Sequence, residues 1–81
     1  MANVRVRYYA GAAAATGRHE ESAEATTVAD LVARLTRTHG DAFARVLPAS
    51  SVLVDGLVVH NEQQRLANGS VVEVLPPFSG G

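Results

Sequence analysis

The sequence predicts an α+β domain in which one amphipathic helix covers one face of a mixed β-sheet. Three observations lead to this prediction. Apolar and polar residues alternate near the start of the chain, an apolar stripe at helical spacing runs through residues 27–39, and β-rich segments flank the dipeptide Asp55-Gly56. A helix with one apolar stripe and strands with one apolar face bury those surfaces against each other, which gives two layers.

The first predicted strand covers residues 3–9. Val4, Val6 and Tyr8 alternate with Arg5, Arg7 and Tyr9, which is the period of two expected for a half-buried strand. The alanine-rich segment 10–16 ends at Gly17 and predicts a short helical turn. The next segment, residues 18–25, has poor strand propensity, and its composition alone would favour a loop.

The clearest element is a helix from Thr27 to His39. Its apolar residues fall at i, i+3, i+4 and i+7, so they form one stripe; they are Val28, Leu31, Val32 and Leu35. Thr27 suits the N-cap, Asp30 lies in the first turn, where negative charge is favoured, and Gly40 predicts the end of the helix. A further helical turn is predicted at residues 42–47, closed by Pro48.

The second half of the chain predicts a hairpin and a last strand. Residues 51–60 form the hairpin, because Asp55-Gly56 is a strong two-residue turn signal between β-rich flanks. Residues 61–66 read as a polar loop, Asn68-Gly69 as a turn, and residues 71–75 as the final strand. Pro76-Pro77 lacks main-chain donors, so the sheet must end there.

Size and composition exclude several classes of function. The 81 residues make one domain, the net charge of −1 gives no footprint for nucleic acid, and no apolar run is long enough for a membrane span. We therefore expect a cytoplasmic protein with neither nucleic acid nor membrane as partner. There is no cysteine, and the three histidines have no metal-ligand spacing. The run His19-Glu20-Glu21 is interpreted as a solvated edge, and nothing in the sequence indicates an autonomous enzyme.

All seven basic residues are arginine. A chain that carries an activated acyl group would gain from this, because it has no lysine amine to attack that group. A genome that favours arginine and alanine codons explains the same composition, and the sequence does not separate the two interpretations.

The sequence ends in Pro-Pro-Phe-Ser-Gly-Gly. A Gly-Gly tail is slim enough to enter a narrow channel, and its carboxylate is ionised at neutral pH because a free α-carboxyl titrates at roughly 3.5. A carboxylate is a poor electrophile, so chemistry at Gly81 would require activation by another protein. The alternative interpretation is an ordinary frayed terminus.

The order of elements and several motifs resemble the ubiquitin-like β-grasp sulfur carriers, in particular the small-subunit family of molybdopterin synthase. The motifs are Val-Arg-Tyr-Tyr-Ala near the start, Thr-Val-Ala-Asp-Leu at residues 27–31, and the stretch from Leu66 to Gly81. The resemblance implies a β-grasp domain at residues 1–75, a flexible diglycine tail at residues 76–81, and a second strand at 18–25, antiparallel to the first. The chain has Ser70 where this family usually has an acidic residue.

The resemblance also implies a function. An E1-like adenylating enzyme would use ATP to activate Gly81, and a sulfur donor would convert the acyl-adenylate to a thiocarboxylate. The sulfur would pass to the pterin precursor in the molybdopterin synthase large subunit, with no cofactor bound by the carrier itself. Two alternatives stay open: a carrier for thiazole, cysteine or a specialised metabolite, and a ubiquitin-like binding module that is never activated.

The strand pattern predicts the partner-binding residues. Tyr9 and Leu75 should meet on the outer face where the tail leaves the sheet, and Arg5 and Arg7 should lie near Glu73. Phe78 lies beyond the sheet and is expected to fill a pocket of a partner. The remaining expected contacts are those of the tail, at Pro77, Ser79 and Gly80.

Overall fold

The computed structural model describes residues 1–76, which form a five-stranded sheet with helices on one face. The strands are β1 (Ala2–Tyr8), β2 (Glu20–Ala25), β3 (Ser51–Val54), β4 (Leu57–Val58) and β5 (Val71–Leu75). The helices are α1 (Gly11–Thr16), α2 (Val28–His39) and α3 (Asp41–Val46), followed by a 3₁₀ turn at Leu47–Ala49.

The strands lie in the order β2-β1-β5-β3-β4. β5 runs parallel to β1 and antiparallel to β3, and the pairs β1–β2 and β3–β4 are antiparallel. This is the ubiquitin-like β-grasp arrangement, so the predicted fold class is confirmed. The first and last strands therefore lie side by side at the centre of the sheet.

The core lies between the sheet and the helices. Burial alternates along β1 as the sequence predicts, with Val4, Val6 and Tyr8 at most 3% exposed. On α2, the stripe residues Val28, Leu31 and Leu35 are buried, and Phe43 of α3 is 0% exposed. Each fully buried aliphatic side chain contributes roughly 1.5–3 kcal/mol to folding, so this layer contact holds the small domain together.

Local signals place the ends of the helices as expected. The Thr27 side chain accepts a hydrogen bond from the main-chain N–H of Asp30, which confirms the N-cap. Asp30 also accepts from Arg34 at 3.0 Å, four residues along the helix. The prediction for Pro48 needs a correction, because this residue lies inside the 3₁₀ turn and does not close the helical segment. A proline without an N–H fits the first positions of such a turn.

The segment at residues 18–25, ambiguous by composition, contains an edge strand. β2 pairs antiparallel with β1, as the resemblance implied, and has no second neighbour within the described part of the chain. The predicted hairpin is present but short, because β4 has only two residues. Its turn has Asp55 and Gly56 at φ values of 50° and 85°, the left-handed conformations that such a turn requires.

Candidate partner-docking face

The C-terminal segment leaves the described structure from a fixed position at the centre of the sheet. β5 is paired on both sides: Tyr8 pairs with Val74 across β1, and Ser51 pairs with Leu75 across β3. The main-chain N–H of Tyr9 donates to the carbonyl of Val74 at 3.1 Å. Main-chain pairing thus holds the strand to its last residue, and the direction in which Pro76 continues is set by the sheet.

The face of the sheet opposite the helices has two parts of different chemistry. On the β1–β2 side lies the charged half, where Arg5 and Arg7 contact Glu20 at 3.0 and 3.6 Å. These side chains are about half exposed, so the ion pairs contribute little to stability. They keep this half of the face polar and hydrated.

On the β5–β3–β4 side lies the apolar half of the open face. Its residues alternate with the buried ones and pair across the strands; they are Val71, Leu75, Leu53 and Val58. Val58 is 47% exposed, and the other three are partly exposed. Glu73 lies between Val71 and Leu75 on this face and pairs with Leu53. Exposed apolar side chains of this kind beside the point where the described chain leaves the sheet are suited to binding another protein.

Tyr9 and Glu73 lie at the boundary between the two halves. The Tyr9 hydroxyl donates to Glu73 Oε2 at 2.8 Å, and the ring is 37% exposed. This hydrogen bond to a carboxylate is the main reason that the pKa of Tyr9 is raised above its usual value. The register sets Arg7 opposite Glu73, as expected, but the ion pairs of Arg5 and Arg7 go to Glu20.

Of the predicted site residues, the structure describes Tyr9 and Leu75, and both lie at the end of the sheet where β5 ends. The other five lie outside the described residues: Pro77, Phe78, Ser79, Gly80 and Gly81. Their roles stay predictions. The period-two pattern predicted that Tyr9 and Leu75 face outward, and the structure places them so; their binding of a partner stays a prediction. The sequence analysis did not name Leu53 and Val58, whose place depends on the hairpin register.

An apolar hollow of about 230 Å³ adjoins the same end of the sheet. It is lined by Tyr9, Gly11, Ala12, Val46, Ala49, Ser50 and Pro76. No sequence pattern indicates this hollow, because its walls come from three segments that only the tertiary fold brings together. The hollow extends the apolar surface around Pro76 towards α1 and α3.

The interpretation of His19-Glu20-Glu21 as a solvated edge is wrong for Glu21. Glu20 is exposed, but the Glu21 side chain is only 13% exposed and lies against α2. Its Oε2 accepts a hydrogen bond from the Tyr8 hydroxyl at 2.5 Å and lies 2.5 Å from His39 Nε2. The alternation of a strand explains this, since Glu21 shares the inner face of β2 with Ala23 and Ala25.

The buried cluster of Tyr8, Glu21 and His39 is closed by Phe43. The rings of Tyr8 and Phe43 meet edge to face with centroids 5.9 Å apart, and His39 lies 5.9 Å from both. Burial and the hydrogen bond to Glu21 raise the pKa of Tyr8. Burial also raises the pKa of Glu21, but hydrogen bonds from Tyr8 and His39 outweigh it and leave that pKa lowered. The cluster ties β1, β2 and α2 together and lies away from the open face.

Within residues 1–76, no three histidine, aspartate or glutamate side chains come together in a way that could hold a metal ion. None of the helices in the same range has the length and apolar character needed to cross a membrane.

The model of the ThiS family matches residues 6–81 of the chain. The chain belongs to the ThiS family. This match includes the C-terminal residues that the structure does not describe, and it covers all strands apart from the start of β1. No curated protein matches the chain significantly.

Solved structures of other members of this fold superpose over nearly the whole chain. A putative molybdopterin converting factor subunit 1 from Pyrococcus furiosus is 26% identical, with a TM-score of 0.86, and 96% of this chain and 100% of that chain are covered. The small archaeal modifier protein 1 of Methanosarcina acetivorans is 23% identical, with a TM-score of 0.86 and coverages of 100% and 98%.

A third structure is a complex of subunits 1 and 2 of the molybdopterin-converting factor from Helicobacter pylori. Its matching chain is 22% identical, with a TM-score of 0.76, and 98% of this chain and 99% of that chain are covered. The fold therefore occurs in a protein that assembles with a second subunit. Together with the family match, these findings show that the chain has the ubiquitin-like fold shared by sulfur carriers and modifiers.

Proposed function

We propose that the protein is a sulfur carrier whose Gly81 is converted to a thiocarboxylate, and that it donates this sulfur as the small subunit of a molybdopterin synthase. The observation that carries the proposal is the position of β5. This central strand ends beside an apolar surface, and the chain continues from it towards a diglycine within a segment that the ThiS model matches.

The chemistry divides between the carrier and its partners. The Gly81 carboxylate attacks the α-phosphorus of ATP on an E1-like adenylating enzyme, and pyrophosphate leaves. Hydrosulfide, or a donor of equivalent sulfur, then attacks the acyl carbon and expels AMP, which leaves a thiocarboxylate and releases a proton. The carrier contributes the acyl group and a docking surface. A general base and oxyanion donors would come from the partner.

The open face supports the docking part of this proposal. Leu75 directly precedes the last described residue, Pro76, and Leu53 and Val71 add apolar side chains farther along the same face. A partner that covers this surface receives the following five residues at a fixed starting point. Aromatic and aliphatic anchors dominate the energy of most interfaces, and Tyr9 supplies an aromatic ring at its edge.

A thiocarboxylation assay tests the carrier function. The chain is incubated with ATP, Mg²⁺, an E1-like adenylating enzyme and hydrosulfide, and its intact mass is measured. We expect an increase equal to the difference between one sulfur and one oxygen atom, and no increase in a variant that lacks Gly81. An unchanged mass with an enzyme that converts a known carrier in the same buffer would contradict the proposal.

A binding assay with a molybdopterin synthase large subunit tests the pathway. Leu75→Arg places a charge in the apolar half and should weaken binding by roughly 10-fold to 30-fold. Leu57→Arg is the matched control, because Leu57 is 74% exposed but pairs with the inward-facing Val54 and so lies on the opposite face. Conversion to the thiocarboxylate without binding to this subunit would leave a carrier for another acceptor, such as a thiazole or cysteine precursor.

A second candidate function is covalent modification of proteins. The match to a small archaeal modifier protein covers the whole of this chain. In that case the activated Gly81 acyl group would pass to an amine of another protein, and AMP would leave. Amide-linked adducts that form after activation without a sulfur source would favour this function, whereas their absence beside efficient thiocarboxylation would favour the sulfur carrier.

A further inference from the structure

β2 is a free edge of the sheet with its hydrogen-bonding groups directed outward. Among residues 1–76 it pairs only with β1, and the main-chain N–H of Tyr8 donates to the carbonyl of His19 at 2.8 Å. Antiparallel pairs alternate between hydrogen-bonded and non-hydrogen-bonded positions. The main-chain groups of Glu20, Ser22 and Glu24 therefore point away from β1, where they can pair with another strand.

A groove of about 710 Å³ runs beside this edge, between β2 and α2. Its apolar lining comes from Ala23, Leu35 and Met1; Arg34 and Arg37 line it from α2, and Glu21 and Glu24 line it from β2. Arg34 is bound to Asp30, but within residues 1–76 the ion pairs do not include Arg37, and this side chain is exposed. The groove therefore combines a strand edge that is unpaired within residues 1–76, a narrow apolar lining and one exposed arginine without an ion pair in that range on its α2 side.

We propose that the β2 edge and this groove form a second protein-binding site, which takes an extended segment of a partner as an added strand. Main-chain hydrogen bonds to Ser22 would hold the segment, and its alternate side chains would point to opposite faces of the sheet. Those facing α2 meet Ala23, Leu35 and Arg37, so apolar residues fit there, with an acidic residue at the position beside Arg37. Those on the other face meet Glu20 and Glu24, so polar and basic residues fit.

The same charges disfavour a second copy of this chain as the occupant. If two β2 strands paired antiparallel about Ser22, Glu20 of one copy would lie opposite Glu24 of the other. Like charges directly opposite across strands are destabilising, and acidic residues on an edge oppose self-pairing. The charges of β2 thus disfavour pairing with a second β2 strand. They favour a segment that has basic residues opposite Glu20 and Glu24 and an acidic residue on the α2 side. The site is independent of the apolar half, which lies across the sheet at β5 and β3.

The test uses the full chain and a short synthetic peptide. In this peptide every second residue is valine or aspartate, and the residues between them are threonine or lysine. Binding is followed by amide chemical shifts in two-dimensional NMR. We expect saturable shifts at residues 20–24 and 34–38. Arg37→Glu should weaken binding about threefold to tenfold, as expected for reversing one exposed charge contact. Arg45→Glu is the control, because Arg45 is also exposed on a helix but does not line the groove.

Two further comparisons separate strand addition from attraction of charges. Ser22→Pro removes a main-chain donor that points outward, so we expect loss of detectable binding with the fold retained. If that variant does not fold, a peptide of the same composition with aspartate and lysine exchanged serves instead, and it should not bind. Binding of both peptides alike, shifts confined to the apolar half or to β4, or concentration-dependent dimerisation through β2 would overturn the proposal.

Discussion

Tyr8 and Tyr9 are neighbours in the chain with the same side chain, yet they belong to opposite faces of the sheet. Tyr8 points under the helices and is 2% exposed, whereas Tyr9 lies on the open face and is 37% exposed. Each hydroxyl donates to a glutamate, Tyr8 to Glu21 at 2.5 Å and Tyr9 to Glu73 at 2.8 Å. The local chemistry is the same, and the surroundings differ.

Because the surroundings differ, residues under the helices contribute to stability, and residues on the open face are available for binding. Around Tyr8, a lost hydrogen bond leaves a polar group with little water to replace the partner, so the fold loses stability. Around Tyr9, water replaces the lost partner at small cost. Substitutions under the helices should therefore change folding, and substitutions on the open face should change only what the face binds.

The largest expected effect is that of Leu31→Ala. Leu31 is 1% exposed on α2 and faces the sheet, so its truncation should lower the free energy of unfolding by about 2–5 kcal/mol. Leu57→Ala is the matched control, because that leucine is 74% exposed and should change stability by no more than about 0.5 kcal/mol. Urea denaturation measures both, and equal effects would show that the assignment of the helix face is wrong.

A smaller effect is expected for Tyr8→Phe. The ring stays in contact with Phe43 and His39, while the Glu21 carboxylate loses one of its two donors to Oε2. The free energy of unfolding should fall by about 1–3 kcal/mol, the usual cost of removing one partner of a buried polar group. A variant as stable as the parent chain would show that water reaches Glu21 freely.

Acid should weaken the same cluster. Burial raises the pKa of Glu21, but hydrogen bonds from Tyr8 and His39 and the charges of His39 and Arg18 leave it below its usual value. A carboxyl with a lowered pKa stabilises the fold above its unfolded pKa, which is about 4.3 for glutamate. That contribution is lost as the pH falls through the folded value.

Glu21→Gln should therefore be less stable than the parent at neutral pH and should lose less stability on acidification. Asp30 also makes the stability depend on pH, because hydrogen bonds from the Thr26 N–H and from Arg34 lower its pKa. Asp30→Asn removes this contribution and so shows how much of the stability lost on acidification is due to Asp30. Denaturation curves measured from neutral pH to below 4 would show parallel slopes for parent and Glu21→Gln if Glu21 had no such role.

Much of this fold follows from local patterns in the sequence. The alternation in residues 3–9 predicted which face of β1 is buried, and Thr27 with Gly40 predicted both ends of α2. Residues 18–25 could not be placed by pattern, because a polar edge strand and a loop have the same composition. Only the resemblance placed them, and the buried position of Glu21 follows from pairing with β1. Leu53 and Val58 lie on the open face through the hairpin register. The two-residue turn at Asp55-Gly56 is the local signal that sets this register, but their face also depends on how β3 pairs with β5.

The smallest effect on folding is expected for Tyr9→Phe, and it is also the sharpest test of the difference between the two faces. The hydrogen bond to Glu73 is exposed, so we expect no measurable change in the denaturation midpoint. The same bond raises the pKa of Tyr9, and Glu73→Gln should therefore lower that pKa towards the usual value of about 10, seen in ultraviolet titration of the phenol. Because neither substitution is expected to change the stability of the fold, weaker binding of either variant to the large subunit can be attributed to the open face. If Tyr9→Phe destabilises the domain as much as Tyr8→Phe, the Tyr9 hydroxyl and its hydrogen bond to Glu73 stabilise the fold, and the separation of the two faces is wrong.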